Sequence, residues 1–192
     1  MMKIEKGQPG YVNAQKTKYL IWAVGEFLVV IALVVLGYIQ TGSKLNLFTI
    51  AAVVCCLPAA KMLVEFITMA PHKSIEPERF EEIQEKAPLL TKIYDTVLTS
   101  KDKVMPVDVF VISGRTVCGY TKSPKTDEAK TAKYVKEMLQ QNKCEKVTVK
   151  IFHDYTAFMA RVEGMNNIAS VDQPENRKRE HKIKSLILST SI

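Results

Sequence analysis

The feature of this sequence that most restricts its fold is a pair of long apolar runs near the amino terminus. The first run covers Tyr19–Ile39 and contains one charged residue, Glu26. A helix rises about 1.5 Å per residue, so this run spans a hydrocarbon core of roughly 30 Å. The second run, Leu47–Ala70, is of similar length and contains Lys61 and Glu65. The two runs predict two transmembrane helices.

The segment between the runs is short and polar, so the helices are expected to be antiparallel neighbours. Lysines in short flanking segments favour the cytoplasmic side of a membrane. The tail 1–18 contains four lysines, whereas the link contains only Lys44. We therefore expect a transmembrane hairpin over 19–70 in the cell membrane, with both chain termini in the cytoplasm.

Two charges fall inside the predicted hairpin. Folding it about residues 43–44 places Glu26 level with Lys61. Charged side chains within a bilayer are costly unless they are paired or line an ion pathway. The sequence thus predicts an intramembrane pair, Glu26 with Lys61, that fixes the register of the hairpin. The alternative is an ion or proton path, which would make the chain a small transporter or pore subunit.

The remainder of the chain is polar enough to be water-soluble and long enough to bury one core. Apolar residues at mostly helical spacing predict a linker helix over 71–100. An α/β domain over 101–192 follows, so the expected fold is a two-helix transmembrane hairpin and a small cytoplasmic α/β domain with a mixed sheet of three or more strands. Its predicted elements are strands at 104–113, 116–120 and 146–153, helices at 127–142 and 155–163, and a last basic helix after Pro174.

The motifs that usually identify enzymes are missing from the sequence. It contains no Walker loop, no GxGxxG, GxSxG or HExxH pattern and no EF-hand. The four cysteines form no CxxC pair and no zinc-ligand spacing with histidine. We therefore expect no metal, no cofactor and no catalytic residue.

One pattern does suggest a known fold. Asp108 lies in a predicted strand, a turn follows, and Lys122 ends the next strand before a helix and a further strand. Residues 104–153 thereby resemble the core of restriction-endonuclease-like folds, and they are similar to the nuclease-related module (NERD) found beside membrane helices. Those enzymes need an acid two residues before the lysine, where this chain has Tyr120. The resemblance therefore implies a module that is inactive as a nuclease.

The formal net charge of +7 is compatible with a basic surface that binds an anion. The last predicted helix presents a basic run, which would suit a polyanion or the headgroups of anionic lipid. The candidate residues of this surface are Arg177, Lys178, Arg179, Lys182 and Lys184.

The leading functional hypothesis is a membrane-anchored cytoplasmic interaction module without enzymatic activity. Its partners would be the lipid bilayer and either an unknown protein or a second copy of the chain. A nucleic-acid-binding or degenerate nuclease-like module is the first alternative, and a transporter subunit is the second.

Overall fold

The computed structural model describes residues 4–43, 46–100, 103–169 and 175–191. The chain forms two compact units. One unit is Val12–Lys73. The other combines the segment that ends at Tyr11 with the segment that begins at Ser74.

Two long helices make up the first unit, α1 (Tyr11–Thr41) and α2 (Leu47–Met69). Each is long and apolar enough to cross a membrane, and only 11% of the most apolar window of each is buried. A core helix of a soluble protein would bury most of such a window. Asn46 caps α2, because its side chain accepts a hydrogen bond from Thr49 N at 2.9 Å. Lys44, which contributed to the predicted orientation, lies outside the described residues.

The positions that the two helices bury are mostly small. Ala23, Ala52 and Ala59 are each no more than 2% exposed, and Gly37 is buried as well. A Cβ atom added at Gly37 would lie 2.6 Å from Asn46 Oδ1 and 2.7 Å from the Cβ of Phe48. Small residues thus allow the close approach of backbones on which helix pairing in lipid depends.

In the described residues of the second unit, helices and strands follow one another in the order α-β-β-β-α-β-α-α. The four strands form one sheet in the order β1-β2-β3-β4, in which β1, β2 and β3 are antiparallel and β4 is parallel to β3. The described elements are α3 (Pro77–Lys86), β1 (Thr91–Thr99), β2 (Val104–Ser113), β3 (Thr116–Tyr120), α4 (Glu128–Gln141), β4 (Thr148–Phe152), α5 (Tyr155–Ala169) and α6 (Glu175–Thr190).

Apolar side chains fill both faces of this sheet. One cluster packs α4 and α6 against the sheet and includes Val135, Leu139 and Ile183. The other packs α3 and α5 against it and includes Ile83 and Phe158. The predicted hairpin followed by an α/β domain with a mixed sheet is confirmed, with four strands.

The predicted linker helix over 71–100 is wrong in its second half. The helix is only α3, and Thr91–Thr99 is the edge strand β1. Ile93 and Val97 are four residues apart, so they fit a helical stripe as well as a strand. Every residue from Ile93 to Leu98 is buried in β1, because the strand is covered on both faces and therefore lacks the alternation that identifies a half-exposed strand.

The predicted tail 1–18 also differs from the structure. Its described part up to Tyr11 belongs to the α/β unit, and α1 begins at Tyr11 instead of Tyr19. Gly7 O accepts a hydrogen bond from Tyr94 N at 2.9 Å, and Lys6 donates one to Ser191 O. A Cβ atom at Gly7 would meet Leu188 Cδ2 at 2.8 Å, where φ is +87°. The segment is therefore a structural part of the sheet edge.

The end of α5 lies further along the chain than predicted. The helix predicted over 155–163 continues through Gly164 to Ala169, and Met165, directly after the glycine, is buried. Glycine inside a helix costs about 1 kcal/mol relative to alanine, which such packing can offset. Pro174, predicted to open the last helix, lies outside the described residues.

Candidate functional site

The positions on which the nuclease resemblance depends are neighbours at the carboxyl end of β3. Asp108 lies in the middle of β2, and Lys122 follows β3. The backbone N–H of Lys122 donates a hydrogen bond to Asp108 Oδ2 at 2.6 Å. The contact between the two residues is therefore made by the backbone of the lysine, while its side chain is used elsewhere.

The ammonium group of Lys122 pairs with Glu76, the residue before α3. Glu76 also binds a second cation, because its Oε2 lies 3.1 Å from Arg79 Nε. One carboxylate thus joins the end of β3 to the first turn of α3. This arrangement satisfies both cations within the protein.

Tyr120 occupies the place where the nuclease-like pattern needs an acid, and it is only 3% exposed. Arg79 donates a hydrogen bond to its hydroxyl group. The guanidinium carbon of Arg79 lies 5.3 Å from the centre of the Tyr120 ring and 4.7 Å from that of Tyr155. The Tyr155 hydroxyl donates to Glu82 Oε2 at 2.8 Å. A cation held by two aromatic rings therefore stands next to the position of the missing acid.

Burial raises the pKa of the Asp108 carboxyl above its ordinary value, and the nearby Asp95 adds to this rise. The hydrogen bond from Lys122 N, together with the charges of Arg79 and Lys122, opposes it. Asp95 lies opposite Asp108 in the register of β1 and β2, and its Oδ1 accepts a hydrogen bond from Ile75 N at 2.8 Å. Within the described ranges, no group of three or more histidine, cysteine, aspartate or glutamate side chains is placed to hold a metal ion.

The ring of His153 makes polar contacts with both ends of the loop that follows β3. Its Nδ1 lies 3.0 Å from Thr121 O, and its Nε2 lies 2.7 Å from Thr126 O. Its backbone N–H donates to Glu128 Oε1 at 2.6 Å. The ring therefore connects both ends of the loop to β4, which is a positioning role that the sequence did not reveal.

The opposite, amino end of the parallel pair β3–β4 carries a different surface. Two clefts of about 480 and 510 Å³ meet there, and Arg115 and Arg179 line both of them. We call this surface the basic groove. Its cations come from the β2–β3 turn, the loop before β4, α5 and α6, and they are Arg115, Lys143, Lys146, Arg161, Lys178, Arg179 and Lys182.

The basic helix predicted from the sequence supplies only part of this groove. Lys178, Arg179 and Lys182 line it, whereas Arg177 and Lys184 do not. The contributions of Arg115 and Lys146 were missed, although a signal for them existed. The amino ends of parallel strands lie at one edge of a sheet, so basic residues just before β3 and β4 must come together.

The charges on the two long helices are not paired as predicted. Lys61 Nζ lies 3.9 Å from Glu65 Oε1, one turn further along α2, and the Lys61 side chain is 71% exposed. In the described part of the chain Glu26 forms no ion pair with Lys61, and its Oε2 is buried without a hydrogen-bond partner. Neighbours on the same helix are always within reach, whereas a pair between helices also requires a matching rotation.

Comparison with known proteins gives no relative: no family description, no curated protein and no solved structure matches the chain significantly. The function of the chain must therefore be inferred from its own geometry.

Proposed function

We propose that this protein is a membrane-anchored binding module without enzymatic activity, whose α/β unit faces the cytoplasm and binds a partner or a second copy of the chain. One observation carries the proposal. Two of the nuclease-like positions are engaged with other side chains of the protein, since Lys122 pairs with Glu76, and Tyr120, in place of the acid, is bonded by Arg79. A catalytic group must instead be able to reach a substrate.

The anchoring part of the proposal is supported by the way the chain enters and leaves its helices. The segment before α1 and the segment after α2 belong to one compact unit. If α1 and α2 cross a bilayer, both of their outer ends must then lie on the same side of it. Lys6, Lys16 and Lys18 near the first of these ends favour the cytoplasmic side.

Labelling with a membrane-impermeant maleimide tests this arrangement. In intact cells Ser43→Cys, at the tip between the helices, is expected to react. Lys125→Cys, in an exposed loop of the α/β unit, is expected to react only after the membrane is opened. The wild type is the control for background, because Cys118 and Cys144 are buried and Cys55 and Cys56 lie within α2. Reaction of Lys125→Cys in intact cells would contradict the proposed orientation.

The non-enzymatic part is tested by incubating the full chain, in nanodiscs of neutral lipid, with DNA and either Mg²⁺ or Mn²⁺. No cleavage is expected. Metal-dependent cleavage that disappears in Asp108→Ala would overturn the proposal, because Asp108 is the remaining acid of the nuclease-like pattern.

A nucleic-acid-binding or degenerate nuclease-like module is the second candidate. It is favoured by the contact of Asp108 with Lys122 N and by the order β2-β3-α4-β4, which is the order on which the resemblance depends. This candidate requires DNA binding that weakens steeply with salt, since each phosphate contact releases counterions. Salt-independent or undetectable DNA binding by the full chain in neutral nanodiscs would exclude it.

A further inference from the structure

The basic groove brings together several cations that the protein does not neutralise. Lys86, by comparison, pairs with both Glu82 and Glu163 on the surface. Among the described residues, none of the seven groove cations takes part in an ion pair. Among the described residues that line the groove, the only carboxylate is that of Glu145. Like charges held together without counter-charges repel one another, so the groove favours an anion.

Three arginines give the groove its chemistry. Arg115 lies in the β2–β3 turn, Arg161 on α5 and Arg179 on α6, and all three line the cleft of about 480 Å³. The planar fork of a guanidinium group matches two oxygens of a phosphate, which a lysine cannot do. Ser113 and Thr116 add hydroxyl groups to the same lining. The volume is in the range of sites for small ligands, roughly 300–1,000 Å³.

The loop before β4 holds two groove lysines in an unfavourable conformation. Lys143 has a φ of +59° and Lys146 a φ of +60°. Lys143 directly follows α4, where a left-handed residue commonly closes a helix and bonds back to its last turn. At Lys146, which closes no helix, the conformation is uncommon for a residue with a side chain. Both lysines line the cleft of about 510 Å³, which shares Arg115 and Arg179 with the first. Cations therefore follow one another along the groove and suit an anion with several charges.

The lining argues against a single-stranded nucleic acid. Proteins that bind such strands place aromatic rings along a basic groove, on which the bases stack. The described lining residues include no aromatic side chain. Their exposed apolar surface comes instead from Ile168, which is 65% exposed, since Met165 is only 3% exposed.

The connections to the long helices are held at a different strand from those that the groove borders. The chain leaves the α/β unit for the long helices next to β1, where Gly7 bonds Tyr94 and Ile75 bonds Asp95. β1 is one edge of the sheet, and the groove lies at the amino ends of β3 and β4 on the other side. The residues that make these bonds are not among those that line the groove.

We propose that the basic groove binds a small soluble molecule that carries two or more phosphate groups, with phosphates held by Arg115 and Arg179 and the remainder against Ile168. This inference deepens the proposed function, because it names the ligand class of the binding module. It rests on the groove alone, so the labelling experiment above succeeds or fails independently of it.

Calorimetric titration of the full chain in phosphatidylcholine nanodiscs tests the inference, with inorganic triphosphate as the probe. Wild type is expected to bind it. Arg115→Gln and Arg179→Gln are each expected to weaken binding by about tenfold or more, since each loses a charge-assisted, bidentate contact. Lys125→Gln, exposed but outside the groove, is the matched control and is expected to bind like the wild type.

Further arms distinguish the source of the phosphates. A nucleoside triphosphate is expected to bind at least as tightly as triphosphate, whereas a single-stranded oligonucleotide and vesicles with anionic lipid are expected to bind more weakly. Arg115→Lys and Arg179→Lys keep the charge and the fold, and they are expected to bind with intermediate affinity. The proposal is overturned by absence of triphosphate binding, by binding that both glutamine variants retain, or by preference for the oligonucleotide or the vesicles.

Discussion

The two ends of the parallel strand pair β3–β4 use charge in opposite ways. At the carboxyl end, Lys122 and Arg79 are both satisfied by Glu76, and Arg79 also contacts Tyr120. At the amino end, Arg115 and Arg179 line a groove and form no ion pair within the described ranges. The ends therefore differ in whether the protein itself neutralises its cations.

This difference separates stability from binding. A network in which every polar group is satisfied makes a region rigid, and it leaves little charge for a ligand. A cluster of unpaired cations contributes nothing favourable to folding, and its electrostatic energy is gained only when an anion arrives. We therefore expect substitutions at the carboxyl end to change stability, and substitutions at the amino end to change ligand affinity.

The largest effect is expected at Tyr120. Tyr120→Ala removes a buried ring that packs against Tyr155 and Phe158, with centroids 5.2 and 5.7 Å away, and it removes the partner of Arg79. It should lower the free energy of unfolding by about 3 kcal/mol, which is typical of losing a buried aromatic side chain. Pulse proteolysis of the full chain in urea measures this quantity. Tyr120→Phe is the control and should lose less than half as much; equal losses would mean that ring packing is not the main contribution.

A smaller loss is expected at Arg79. Arg79→Lys keeps the charge but loses the planar group that contacts Tyr120, Tyr155 and Glu76 together. The expected destabilisation is about 1 kcal/mol, the size of a partly buried cation–π contact with a hydrogen bond. Arg177→Lys, on the exposed face of α6, should change stability by less than about 0.5 kcal/mol in the same assay. If the two variants are alike, the carboxyl end is no more rigidly paired than the surface.

The elements with a local signal in the sequence were the ones that could be predicted. The two apolar helices, the hairpin of β2 with β3, and α4 with β4 were predictable, because each has a local signal in periodicity or turn residues. β1 was not, since complete burial removes the alternation of a strand and Asp95, at φ +52°, interrupts the run. The contact of Asp108 with Lys122 was left open by the sequence, and it results from the register of β2 and β3, in which Val109 pairs with Tyr120.

The contact of Arg79 with Tyr120 could not be predicted for a different reason. Arg79 lies 41 residues before Tyr120 in the chain, so only the packing of α3 on the sheet brings the two together. The same holds for the groove, where Arg115 and Arg179 meet through the packing of α6 beside the β2–β3 turn. Sequence patterns report the neighbours of a residue along one element, and they carry no information on which elements share a face.

The pH dependence of stability distinguishes burial from pairing at the carboxyl end. The pKa of Asp108 is raised by burial above its ordinary 3.8, so the folded state binds its proton more tightly than the unfolded state does. Below pH 3.8 the carboxyl is protonated and burial costs the folded state no stability. The contribution of the protonated group to stability is lost as the pH rises through the raised pKa. Relative to Asp108→Asn, the wild type should thus be more stable at about pH 3 than at about pH 7.

Asp127 provides a control of opposite sign. The hydrogen bond from Lys130 N at the start of α4 lowers its pKa, so its contribution is present above 3.8 and is lost as the pH falls through the lowered pKa. Relative to Asp127→Asn, the wild type should be less stable at about pH 3 than at about pH 7. Urea unfolding of both variants at the two pH values measures the differences. The same sign for both would show that Asp108 is not governed by burial.

The smallest expected effect has the opposite direction and lies at the amino end. Lys146 has a φ of +60°, a conformation that glycine adopts without steric cost. Lys146→Gly should therefore stabilise the α/β unit by about 0.5 kcal/mol in pulse proteolysis, while it weakens the binding of inorganic triphosphate. Lys125→Gly, in an exposed loop where φ is not positive, is the control and should give no stabilisation. A gain in stability with unchanged affinity would mean that Lys146 is strained without serving the groove, and the contrast between the two ends of the sheet would then depend on the arginines alone.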